Sequence, residues 1–336
     1  MRTETRYVFS GYLSQIALLN AVADAAHKFN VEPTVQQSLE TAIQESTDLL
    51  KGINMMGVQE QSGQSLLLGV NGPIARRTNT AGGNRRNPTD RKALSMDEYN
   101  CKKTDFDTAF AYAVLDQWAK FPDFQSRLSN AIAIRQGLDR IMIGFNGISA
   151  ATETDPDANP LGEDVNIGWL QKVRTGAADR VLDEVAPASG QVTIGATGDY
   201  KSLDSLVFDA VQMLDPWHRN HPDLRVLVSR NLLHGKLLKA VERGAESNQE
   251  ENAADEIISN ARLGGLRPYD APYFPDNTVM VTTLKNLSIY WQEGARRRHI
   301  KDEPEYDRIA DYQSSNDAYV IEDFGLVALA ENITEV

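Results

Sequence analysis

The chain has 336 residues, with 34 Lys and Arg against 47 Asp and Glu, a formal net charge of -13 at pH 7, 41% apolar residues and one cysteine. That length can bury a real core in one large or two ordinary domains, and the acidic balance argues against a general binder of nucleic acid or anionic membrane, since both would repel it. Cys101 cannot form an internal disulfide, which fits a reducing compartment; no apolar run approaches the ~20 residues of a membrane span, and Glu4, Gln15, Asn20 and Asp24 spoil the mildly apolar start as a secretory signal.

Leu13, Ile16, Leu19 or Ala17, and Val22 fall at helical spacing and predict a short amphipathic helix over 12–27, with too little apolar surface to stand alone. HKFNVEPT breaks the pattern. Pro33 is a stop and Thr34 a cap for a second helix from Val35 to Gly52, whose buried side is Leu39, Ile43, Leu49, Leu50 and Ile53.

From Met55 to Thr104 the chain turns rich in glycine, with strand-like pieces such as Ser65 to Val70 and a hairpin turn signal at Asn71-Gly72. Between Asn71 and Met96 the charges are Arg76, Arg77, Arg85, Arg86, Arg91 and Lys92 against Asp90, an electrostatic outlier in an acidic protein. The stretch has few large apolar groups, so it cannot build its own core and should project as a long loop or hairpin. It reads either as a solvated loop or as an arm lying on an acidic surface of a neighbouring copy. As a phosphate-binding stretch it is weak, because no aromatic residue interleaves its arginine pairs.

Phe106, Thr108, Phe110 and Tyr112 predict a strand that turns towards Trp118. Next comes the strongest helix signal, Asp123 to Phe145, with Phe124, Leu128, Ala131, Ile134, Leu138, Ile141 and Phe145 on one stripe. Arg127, Arg135, Asp139 and Arg140 lie off that stripe and Gly137 interrupts it. Pro122 and Asp123 suit the first turn, and Asn146 with Gly147 suits a left-handed stop. At about 1.5 Å per residue such a helix spans roughly 35 Å, enough to cross a domain.

Ser149 to Asp164 reads as a surface connection, Val165 to Arg174 as a helical piece and Val192 to Ile194 as a short strand. Tyr200 to Leu214 is helical with Ser202 and Asp204 near its start; Leu224 to Ser229 is a buried strand followed by a helix to Val241, and Gly244 to Ala254 is acidic and loop-like. Val279 to Thr283 and Leu287 to Trp291 are strands around a Lys285-Asn286 turn, and Arg308 to Val336 closes a sheet. Interspersed helices and strands without strict βαβ repetition indicate an α+β fold.

Chemistry is sparse. The common phosphate-loop, dinucleotide, serine-hydrolase and zinc-protease signatures are missing, which leaves an enzyme possible but unsupported. His27, His218, His221, His234 and His299 are scattered; His218 and His221 are close, in PWHRNHPD, but lack a companion ligand at useful spacing. Asp155 and Asp157 belong to no calcium-loop pattern, and Cys101 reads as a small buried hydrophobe. No cofactor, metal or catalytic residue is predicted.

The blocks MRTETRYVFSGYLSQIALLN, KFNVEPTVQQSLETAIQESTDLL, TNTAGG, FQSRLSNAIAIRQGLDRIMIGFNG, IGWLQKVR, YFPDNTVMVTTLKNLSIY and RIADYQSSNDAYVIEDF, in that order along almost the whole chain, resemble the major capsid protein of peduovirus-type (P2-like) temperate tailed phages. The resemblance implies a Hong Kong 97-like capsid fold: a propeptide over 1–29 contacting the scaffold, an N-arm over 30–54, an extended hairpin or E-loop over 55–104, a peripheral domain over 105–199 with the spine helix at 123–145, an axial domain over 200–291, and a return to the peripheral domain over 292–336. It implies trimming by a scaffold-linked protease near Phe29 and Asn30, and inter-subunit contacts through Arg76, Arg77, Arg85, Arg86, Arg91 and Lys92. The implied function is self-assembly, with a scaffold, into an icosahedral head of pentamers and hexamers. That head, built in the host cytoplasm, would carry a portal and enclose double-stranded DNA without sequence-specific binding or membrane contact. Two other classes stay open on the residues alone, an arginine-loop nucleic-acid-binding protein and an enzyme of unknown chemistry.

Overall fold

Two mixed layers and one long helix organise the chain, which the computed structural model describes over residues 1–70, 92–118, 123–236 and 262–336, with 75, 77, 85 and 121 singly. From the start come α1 (Thr3–Leu19), β1 (Phe29–Asn30), α2 (Pro33–Gln44), α3 (Asp48–Gly52) and β2 (Asn54–Val58). Strands β3 (Ser62–Val70) and β4 (Lys92–Asn100) precede β5 (Lys102–Asp105), β6 (Thr108–Ala111), α4 (Tyr112–Trp118) and α5 (Phe124–Asn146). Then follow α6 (Trp169–Gly176), β7 (Val181–Leu182), β8 (Val192–Ile194), α7 (Leu203–Gln212), β9 (Arg225–Val228) and β10 (Arg267–Tyr269). The chain closes with β11 (Val279–Thr282), β12 (Leu287–Gln292), β13 (Arg297–Glu303), β14 (Arg308–Ile321), β15 (Ala328–Ala330) and β16 (Ile333–Glu335).

Strand β14, 14 residues long, is the axis of a seven-stranded sheet ordered β1-β13-β14-β12-β2, with β5 and β6 also pairing β14. A five-stranded sheet runs β10-β9-β11-β15-β7. The first sheet packs under α5 and α6 through Phe145, Trp169, Leu287, Ile289, Tyr319 and Ile321. Trp169 is fully buried, its indole N–H donating to Ser288 O at 2.9 Å, as a buried indole requires. The second sheet packs with α7 through Leu206, Val207, Ala210, Val226, Val228 and Val281. The α+β expectation holds.

Local chemistry explains where the elements differ from the periodicity reading. Helix α1 starts earlier than expected and stops at Leu19, because the Asn20 side chain donates back to Ile16 O at 2.9 Å, accepts from Glu32 N at 3.1 Å, and Ala21 turns to φ 52. The second predicted helix is two helices. The Ser46 hydroxyl bonds Ile43 O at 2.6 Å, and Thr47 starts α3 by accepting Leu50 N at 3.2 Å. Tyr112 lies on α4 rather than a strand, since Tyr112 and Leu115, three residues apart, are buried together. Helix α7 starts later than predicted, with Ser202 and Ser205 forming a capping box. Helical residues continue from 230 to 236; the predicted extension to Val241, the acidic stretch Gly244 to Ala254 and the Asn71-Gly72 turn lie outside the described residues.

Helix α5 spans Phe124–Asn146 as anticipated, but both termini use other chemistry. The Asp123 carboxylate accepts from Arg127 Nε at 2.7 Å instead of a backbone amide. Gly147 has an extended backbone, with φ -63, so it is not a left-handed cap. It is needed for close approach: a Cβ there would lie 2.1 Å from Asn166 O.

Candidate functional site

Turning α5 by its true burial, rather than by its apolar letters, brings Ala133, Gln136, Gly137, Arg140, Ile141 and Gly144 onto the packed face and leaves Ile134 47% exposed. The expected stripe is therefore rotated, and Arg140, expected off the stripe, is sealed. A Cβ on Gly137 would meet Ser46 Oγ at 2.5 Å and one on Gly144 would meet Trp169 at 2.4 Å, so the small residues mark where neighbours cross the helix. That pairing of small and hydrogen-bonding residues at helical spacing is the signal that an apolar stripe search misses.

Around Arg140 lies a closed polar cluster. Its Nε and Nη2 donate to Asp317 of β14 at 3.0 and 3.1 Å, Nη2 also reaches Glu40 of α2 at 3.2 Å, and Nη1 bonds the other Glu40 oxygen. Arg296, just before β13, donates to Glu40 Oε1 at 2.8 Å and to Gln313 Oε1 at 3.1 Å. Gln136 Nε2 donates to the same Gln313 oxygen at 3.0 Å, and the Ser315 hydroxyl to Asp317 at 2.9 Å. Two guanidiniums face two carboxylates, all four side chains at most 4% exposed, so charge and hydrogen bonding both close.

Burial alone would push the Glu40 carboxyl up, but the Arg140 and Arg296 guanidiniums outweigh it and hold the group below the usual glutamate range. At Asp317 burial prevails and pushes the carboxyl up, against Arg140. In effect the cluster bolts α2, α5, the turn before β13 and β14 into one frame.

A neighbouring tie extends this frame to the first helix. Arg298 of β13 forks onto Asp311 at 3.0 and 2.7 Å and donates to the Tyr12 hydroxyl at 2.9 Å. Phe29 and Asn30, the predicted processing residues, form β1 and pair with Arg298 and Arg297; Val31 N continues the ladder to Arg296 O at 2.9 Å. The bond between them is thus held in an edge strand. Phe29 itself is buried.

The basic excursion begins and ends as a two-stranded sheet of its own, β3 against β4, in continuous register from Ser62 opposite Asn100 to Val70 opposite Lys92. Cys101 N extends the ladder to Gln61 O at 2.7 Å, and the base is tied down where Tyr99 packs edge-on to Tyr290 at 5.2 Å and Lys172 Nζ donates to Glu98 O at 3.1 Å. Arg77 and Arg85 are exposed, Lys92 opens β4, and Arg76, Arg86 and Arg91 lie outside the described residues.

Among the described residues nothing comparable gathers for catalysis. His218 Nε2 sits 3.0 Å from Asp323, His221 accepts from Asp223 N at 3.2 Å, and no group of three metal-ligating side chains occurs among the described residues. Cys101 is sealed, its thiol pushed up to about 12 by burial and by the Asp317 charge, which makes it a poor nucleophile. Among the described residues no helix is long and apolar enough to cross a membrane.

Residues 8–333 match the family model described as phage major capsid protein, P2 family. The chain is 44% identical to the capsid protein of Escherichia phage P2 over 341 residues, covering 99% of this chain and 95% of that one. It is 42% identical to the major capsid protein of Serratia phage KSP20, covering 99% and 98%. Among solved structures it aligns with a chain of the satellite phage P4 procapsid that includes the size determination (Sid) protein, at a TM-score of 0.81 and 42% identity, covering 100% of this chain and 99% of that one. The capsid of an empty GTA particle aligns at a TM-score of 0.51 and 16% identity over 86% of this chain and 90% of that one, a likeness of fold.

Proposed function

The chain belongs to the P2 family of phage major capsid proteins, structural proteins that form the virion shell, and from that premise we propose how its parts build one. Residues 105–199 and 292–336 form a peripheral domain around α5 as spine. Residues 200–291 form an axial domain meeting its copies at pentamer and hexamer centres, residues 30–54 are the N-arm, and residues 55–104 are the E-loop reaching over the next subunit. Residues 1–29 are a propeptide that contacts the scaffold and is trimmed by its protease near Phe29 and Asn30. The portal and the packaged DNA are further partners, and assembly takes place in the host cytoplasm. The overall charge of -13 suits a container that does not glue its genome in place.

The observation that carries this reading is the β3–β4 ladder. Nine residue pairs form a sheet that no third strand joins among the described residues, and the strands lead into a segment whose charge is opposite to that of the whole chain. A two-stranded ribbon is marginal alone, and permanent interfaces bury ~2,000 Å² or more; an arm laid on an acidic neighbour supplies that area. Meanwhile the buried Glu40–Arg140–Asp317 cluster keeps the frame behind the arm from deforming. Expression with a scaffold should yield uniform hollow particles in negative stain. Soluble monomers alone, across a range of salt, would overturn the proposal.

A further inference from the structure

Residues 1–29 fill a cleft between α4, the first half of α5 and the β13–β14 surface. Phe9, Tyr12, Ile16 and Ala17 on one face of α1 are at most 8% exposed, followed by Ala25 and Phe29. They close over Tyr112, Leu115, Leu128, Ile132, Ile300 and Ile309, and the whole forms one buried cluster. Polar ties run the length of the segment: Arg2 N donates to Asp116 Oδ1 at 2.9 Å, Arg6 lies 3.8 Å from Asp302, and Tyr12 takes the Arg298 bond at 2.9 Å. After the turn, Ile300 N donates to Ala25 O at 3.4 Å and the His299 ring bonds Ala26 O at 3.0 Å.

None of these contacts passes through the peptide bond between Phe29 and Asn30. Breaking that bond removes no buried side chain, and of the ties it touches only the two-residue β1 ladder to Arg298 and Arg297. It lowers the effective concentration of the helix at its cleft from the tethered value, of the order of mM or higher for a short connection. The two sides need each other: a 17-residue helix is marginal in water, and without it six apolar body residues would face solvent. We infer that this cleft is a helix-docking site that holds residues 1–29 of its own chain as a non-covalent ligand after the chain is cut. This rests on the reading that the segment is trimmed near Phe29, and it adds that cutting is not release; a separate event that displaces the helix must empty the cleft.

The test uses the full chain with a specific protease sequence inserted between His27 and Lys28, both exposed. After cutting, size exclusion in native buffer and intact mass should find the released peptide in the body peak at one-to-one stoichiometry, with no rise in binding of a hydrophobic dye. A peptide eluting alone, or a dye-binding body, overturns the inference. Phe9→Asp should raise the peptide's off-rate on the order of 100-fold, whereas Tyr7→Asp, at a position 82% exposed, should leave it unchanged; equal effects would also overturn it. In purified heads, trimmed chains accompanied by the peptide support docking after the natural cut. Untrimmed chains sink the trimming reading alone, since the engineered cut still decides the docking.

Discussion

Arg140 meets Asp317 through two parallel N–H···O bonds of 3.0 and 3.1 Å, and neither side chain has more than 1% of its surface in contact with solvent. Such a pair is held by geometry: desolvating both ions is costly, and only complete pairing offsets it. Glu40 and Arg296 complete the pairing from α2 and from the turn before β13, so removal of one member strands the others.

Replacing Arg140 with Ala should therefore cost about 3–5 kcal/mol in denaturant unfolding of the subunit. Arg135, on the same helix with its side chain 56% exposed, bonds Asp139 in an (i, i+4) pair, and Arg135→Ala should cost at most ~0.5 kcal/mol. Equal losses for the two variants would contradict the structural role given to the cluster.

Acid should act through Glu40. Its carboxyl is held below the ordinary glutamate value of 4.5 in the folded chain, so its stabilisation is complete above about that pH and is lost as pH falls through the depressed folded value. Asp317 shifts upward through burial, so its protonation favours the folded form as pH falls and offsets part of the loss. Unfolding measured from pH 6 down to pH 3 should lose less stability in Glu40→Gln than in the parent, although the variant starts lower. Parallel curves would refute the assignment.

Ile134 separates what apolar spacing can read from what it cannot. The stripe reading makes Ile134→Asp fatal to folding, but the side chain is 47% exposed, so its cost should stay near ~1 kcal/mol, against several for Ile141→Asp, where exposure is 0%. Thermal unfolding of both variants decides.

The same example explains how much was legible. The length and place of α5, the strand character of β11, β12 and β14, and the core-poor excursion after Val70 follow from local patterns and turn residues. The phase of α5 does not, because its face is set by Gln136 and Arg140 bonding residues from α2 to β14, 100 to 177 positions away in the chain. Glu40, Arg296, Gln313 and Asp317 look like ordinary surface letters until the fold brings them together. The split of the second helix at Ser46 and Thr47 was visible as cap chemistry, but a continuous apolar count ran over it. The basic excursion is legible by charge and composition, since clustering along the chain needs no tertiary information.

Gly168 sits where the entry to α6 crosses the end of α5, its N–H donating to Gly147 O at 3.0 Å. A Cβ there would lie 2.5 Å from Gly144 O and 2.6 Å from Ile143 O, backbone atoms that cannot swing aside. Gly168→Ala should cost about 3 kcal/mol or more. Gly190→Ala meets nothing within 4 Å and carries only the left-handed penalty of its φ of 62, about 1 kcal/mol. Similar melting temperatures for the two variants would be inconsistent with this crossing.

Charge reversal in the excursion distinguishes an assembly arm from a nucleic-acid grip. Arg77 and Arg85 are exposed, so Arg77→Glu with Arg85→Glu should leave the unfolding free energy within about 0.5 kcal/mol of the parent. If the segment lies on an acidic sister subunit, the double variant loses particle formation while its mobility with duplex DNA matches the parent's, because an acidic subunit has little affinity to lose. If the segment instead grips phosphate, DNA binding weakens and its salt slope shrinks by up to about two charges' worth of released counterions, with particle yield intact. Particle counts and mobility shifts on the same preparations therefore give opposite patterns, and the second pattern would remove the arm from the shell.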